Sequence, residues 1–122
     1  MGIIPKGLPY SLWQQFYHLK YAQYDILDFS RNPDYDTPRW PEDYWPDAPA
    51  PANQEEWEKI KKEFYKERQG FIDLLLNPSH DLFQPFAHGS GQNLFREALL
   101  IIEHNAYHTG QILAIMRILD IY

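Results

Sequence analysis

Apolar residues recur every three or four positions in three stretches of this chain, the period of an amphipathic helix. The last stretch is the longest. From Asn93 to Tyr122 it reads as one continuous helix, with Asn93 or a neighbouring residue as its cap. Glu97, Leu100, His104, Gln111 and Ile115 fall on the same line of that helix as His108, so Leu100 and Ile115 should carry the two histidines inward. The first stretch runs from Leu12 to about Phe29, with Ser11 as its N-cap. Leu12, Phe16, Leu19, Ile26 and Phe29 form its apolar face, and His18 sits at the edge of that face beside Ala22 and Asp25. The middle stretch opens on Asn53 with Glu56 three residues on, a capping-box-like pair, and ends near Asn77-Pro78. Its inward residues are Trp57, Ile60, Phe64, Phe71 and Leu75. No segment alternates with the period of a strand. The pattern predicts an all-α bundle, three helices in one domain spanning 1–122.

The connections are unlike each other. Ser30 to Ala52 holds six of the ten prolines, two of the four tryptophans and no glycine. Proline at that density excludes a helix, and the lack of glycine argues against a flexible linker. The expectation is a long ordered crossover that lays Trp40, Tyr44 and Trp45 against the bundle, as a pocket wall or as cover for the core. The second connection, Pro78 to Gln92, carries Pro85, Gly89 and Gly91 and reads as irregular.

Composition narrows the function classes. A length of 122 residues allows one hydrophobic core, and 44% hydrophobic residues are enough to form it. The net charge of −6 argues against nucleic acid as a partner, because phosphate binding needs a basic face. Without cysteine there is no disulfide scaffold, thiolate metal site or cysteine nucleophile. The first residues lack a signal-peptide core, and no run approaches the ~20 apolar residues of a membrane span. The expectation is a soluble, cytoplasmic protein with no membrane partner.

The chemistry lies in the histidines. His104 and His108 stand four apart, which stacks their rings one turn apart on one helical face. With His18 they make three imidazoles on two helices, a set that can bind a transition metal and leave coordination positions open. Three core histidines, each hydrogen-bonded to a carbonyl or carboxylate, would satisfy the same spacing. The string His-Asn-Ala-Tyr-His lacks the glutamate of a zinc-protease motif, no Glu-x-x-His pair exists, and His-Gly-Ser-Gly at 88–91 is no phosphate loop. His80 and His88 fall in the second connection, where ordering the loop is the simpler role. Asp25 lies one heptad after His18 and Glu97 one heptad before His104, each a support for the site or a polar core residue. Tyr21, Tyr24, Tyr107 and Gln111 are further pocket candidates, and Trp40 and Trp45 a pocket wall.

Two strings carry a family resemblance. PYSLWQQFYHLKYAQYDILDF and REALLIIEHNAYHTGQI, the latter preceded by FAHGSGQNLF, together resemble the DinB/YfiT-like superfamily over most of the chain. The resemblance implies a four-helix bundle that holds a divalent metal, commonly zinc or nickel, through His18, His104 and His108. It also implies hydrolase or low-molecular-weight-thiol transferase chemistry on a small-molecule substrate. Members normally carry one more helix before the Tyr-Ser-Leu-Trp string, where only MGIIPKGLP stands here. The groove left by that helix should be covered by a second subunit in a homodimer, or by the proline-rich crossover. A non-enzymatic metal- or ligand-binding module, or a structural interaction protein, are the competing functions.

Overall fold

Ser11 sets the start of the first helix. Its hydroxyl accepts from the Gln14 amide at 3.1 Å, while the Gln14 side chain accepts from the Ser11 amide at 3.1 Å, a reciprocal capping box. The computed structural model describes residues 1–122. Helix α1 spans Leu12–Arg31 and stops because Asn32, extended at φ −106° and ψ 107°, precedes Pro33. Helix α2 spans Gln54–Leu76; the Asn53 side chain caps it at the Glu56 amide, 2.9 Å, and Asn77 ends it before Pro78. Helix α3 spans Leu94–Ile118, capped by Asn93 at the Arg96 amide, 2.9 Å. The chain has three helices and no strand.

The expected continuation of α3 to Tyr122 does not occur. Asp120 takes a left-handed φ of 56°. The Ile121 amide then donates back to the Met116 carbonyl at 3.0 Å and the Asp120 amide to Arg117 at 3.1 Å. This is a Schellman stop with aspartate in the position glycine usually fills.

Helix α1 is the middle element, packed on α2 along one flank and α3 along another. Its burial is therefore wider than the apolar stripe alone, and takes in Gln14, Gln15, His18 and Gln23. Gln23 joins all three helices: its amide nitrogen donates to the Phe64 carbonyl at 2.8 Å, and its oxygen accepts from Asn105 at 3.3 Å. The apolar core is small, built on Ile26, Leu27, Phe71 and Ile101. An aromatic seam of Trp13, Phe16, Trp57 and Phe64 closes α1 on α2. Ile115 is buried as expected. Leu100 is not: it is 36% exposed, because α1 covers one flank of α3 only, and it lines a cleft instead.

The crossover lies along α1 and is tied to it repeatedly. Gln14 donates to the Pro46 carbonyl at 3.0 Å, and the Ser11 hydroxyl donates to the Pro49 carbonyl. The phenols of Tyr35 and Tyr44 donate to the two carboxylate oxygens of Asp25, at 2.7 and 2.6 Å. Trp45 is sandwiched between Tyr10 and His18, with ring centroids 3.8 and 4.0 Å away. The crossover thus covers α1 and walls the cleft at once. No helix is long and apolar enough to cross a membrane.

Candidate metal centre

His18 comes from the middle of α1, and His104 and His108 from successive turns of α3. Direct packing of these two helices brings the three rings together. Each offers a nitrogen within 4.8 Å of the others, with His18 and His108 buried and His104 half-buried. The Nε2 atoms of His18 and His104 are 3.2 Å apart. Two nitrogens each ~2.05 Å from one tetrahedral ion lie ~3.3 Å apart, so this pair already has the separation of two shared ligands.

The outer nitrogens decide which lone pairs are free. His18 Nδ1 lies 3.3 Å from the Tyr44 carbonyl, which can only accept, so Nδ1 carries the proton. His108 Nδ1 likewise donates to the Gln15 side-chain oxygen at 2.8 Å. Both rings are left with Nε2 for an ion, the arrangement in which an outer acceptor orients a ligating histidine. Burial, reinforced by His104, lowers the His18 pKa to about 4 against the raising effect of the Tyr44 hydrogen bond. Burial, then His104 and His18, lowers His108 to about 4, and burial lowers His104 as well. Near pH 7 all three rings are neutral, as a metal ligand must be. The third ring is held differently. His104 Nδ1 is buried without a hydrogen-bond partner, and its Nε2 faces the His18 Nε2 lone pair. Without an ion, His104 Nε2 therefore carries the proton, and ligation would require that proton to move to Nδ1.

The histidines form one wall of an open cleft of about 450 Å³. The rest of it comes from Ala22, Asp25, Ile26, Leu100 and the rings of Trp40, Tyr44 and Tyr107. Trp45 stacks face to face on His18, interplanar angle 2°, and closes the opposite side of that ring. Asp25 lines the cleft, but both its oxygens are engaged by phenols, so it anchors the crossover. Through Tyr44 it also positions the carbonyl that holds His18.

Other candidate residues lie elsewhere. Glu97 is 2% exposed and paired with Arg96, away from the rings; burial raises its carboxyl above the usual range against that pairing. Gln111 is half-buried and does not line the cleft. Tyr21 and Tyr24 line a separate cleft between α1 and α2, where Lys20 bridges Glu63 and Glu67 at 3.0 and 2.9 Å. His88 donates to the Phe29 carbonyl at 2.7 Å and His80 to the Leu74 carbonyl at 3.0 Å, both ordering their loop. Gln15 and the Tyr44 carbonyl are the participants that sequence reasoning missed. Gln15 does stand three residues before His18, on the same helical face, and that is the one signal it offered.

What the arrangement can do is hold one divalent ion on three neutral nitrogens with an apolar, solvent-open cleft beside it. Comparison with family models, curated proteins and solved structures gave no match.

Proposed function

We propose that this is a three-histidine metal protein of the DinB/YfiT-like kind, acting as a metal-dependent enzyme on a small molecule. One observation carries the reading: oxygens of Tyr44 and Gln15 hold the outer nitrogens of two rings, which leaves their Nε2 atoms free in a cluster whose three rings each offer a nitrogen within 4.8 Å of the others, beside a cleft. When bound, a divalent ion such as zinc or nickel supplies Lewis acidity toward water, a carbonyl or a thiol. The chain's own share is to hold three neutral imidazoles, to shield one flank with Trp45 and to leave the other flank open. The cleft favours thiol transfer over hydrolysis. Hydrolysis usually draws on an acid–base group beside the ion, and the one carboxylate here already accepts from two phenols.

The test joins metal analysis to turnover. Added zinc or nickel should bind at one ion per chain, and His104→Ala, still helical by circular dichroism, should lose both the ion and any thiol-transfer activity. No stoichiometric uptake of either metal would sink the metal reading. A second reading is a module without turnover. His104 Nε2–H donating to His18 Nε2 satisfies the 3.2 Å contact with no ion at all. Stoichiometric metal with no turnover across a panel of thiols and electrophiles selects a metal-binding module.

A further inference from the structure

We propose that the cleft takes an uncharged, flat, apolar ligand, with Trp40 and Tyr107 as its flanking walls. The choice of a thiol as the ligand's donor rests on the metal reading above; the choice of its body does not. Trp40 is 65% exposed and Tyr107 62% exposed, yet both line the same cleft. Trp40 meets the His18 and Tyr44 rings edge-on at 6.1 and 5.2 Å, and Tyr107 meets His108 at 4.9 Å. Exposed aromatic area gathered at one concavity is covered most favourably by another apolar surface, which removes it from water.

Charge points the same way. No lysine or arginine lines the cleft. Arg39, next to Trp40, is tied to Asp43 at 3.0 Å, and Arg96 is tied to Glu97. Apart from a bound ion, which the thiol donor would occupy, an anionic body would find no cation there, would meet the Asp25 carboxylate on the cleft wall, and would approach a chain of net charge −6. A cationic body would feel the attraction of that same carboxylate but find neither Asp25 oxygen free of a phenol for a direct pair.

A matched pair of thiols tests this. Benzyl mercaptan and 4-(mercaptomethyl)benzoate share the donor and the ring and differ by one carboxylate. Each is titrated by calorimetry into zinc-loaded protein whose zinc content has been measured first. The neutral thiol should bind at least about tenfold more tightly, a gap of roughly 1.4 kcal/mol. Trp40→Ala and Tyr107→Ala should each weaken it several-fold with zinc content unchanged; neither side chain offers a ligand nitrogen. Equal or tighter binding of the benzoate, or no effect of either alanine, overturns the proposal. Should the chain take up no zinc, the metal reading falls alone. The comparison is then made with toluene and 4-methylbenzoate on the metal-free chain, with the same preference expected and the same results overturning it.

Discussion

Gln15 lies outside the three-histidine cluster yet holds one of its rings in place. It is 6% exposed and its oxygen is the acceptor that fixes His108. Gln15→Leu keeps the volume and removes that acceptor, so His108 can turn or swap tautomer. Zinc affinity, read by competition with a chromophoric chelator, should fall about 10- to 100-fold with the helical circular dichroism retained. Unchanged affinity would remove Gln15 from the centre. Asp25 supports a second prediction. Burial first, then the hydrogen bond to Asp25, raises the Tyr35 and Tyr44 phenols well above the ordinary tyrosine range. Groups whose folded pKa is raised stabilise the fold below their unfolded pKa, about 10, and that contribution is lost as pH climbs above it. Of the nine tyrosines, at least these two should form tyrosinate only as the chain unfolds, and Tyr35→Phe should flatten the alkaline loss of stability. The histidine cluster was legible because spacing and helical face are local properties. Gln15 was not, since its partner lies 93 residues away, and the Tyr44 carbonyl belongs to a backbone that any side chain could carry.

At the scale of elements, beginnings were easier to read than one of the ends. Ser11, Asn53 and Asn93 each cap the helix expected of them, because a capping side chain acts within three residues of itself. Prolines 33 and 78 stop α1 and α2 by equally local sterics. Helix α3 ends on a left-handed aspartate, a conformation that residue adopts only when its neighbours' hydrogen bonds require it, so nothing in the sequence marked the stop. The burial of α1 on more than one flank was hidden for a related reason: a stripe shows one inward face, and a helix packed between two others has more. Gly110, two residues past His108, gives the element-scale prediction. It lies inside α3, and a methyl group there would meet no atom within 4 Å. Gly110→Ala should stabilise the chain by up to about 1 kcal/mol through the lower backbone entropy of alanine, with zinc content unchanged. Destabilisation in a denaturant titration would mean that the position is crowded by something beyond this chain.

The whole molecule exposes more surface than its mass warrants. Its accessible area is 7881 Å² at 14.6 kDa, against roughly 6900 Å² for a compact monomer of that mass. The excess of about 1000 Å² is comparable to the ~800 Å² that each partner contributes to a standard interface. An apolar groove runs between α2 and α3, about 330 Å³, walled by Phe71, Ile72, Leu75, Ala98, Ile101 and Ile102. The crossover does not fill it: none of its residues lines this groove, because its ties run to the N-cap Ser11 and to Gln14, His18 and Asp25 of α1. We propose that a second copy of the chain covers the groove in a two-fold dimer, α3 lying against its counterpart. Ile102, 65% exposed on that wall and absent from the histidine cleft, separates the two surfaces. Light scattering behind size exclusion at micromolar concentration should give about twice 14.6 kDa for the parent chain. Ile102→Glu would bury a carboxylate against its own copy, so the variant should run as a monomer that still binds zinc. A parent chain that is monomeric under those conditions leaves the groove uncovered by its own kind and removes the dimer.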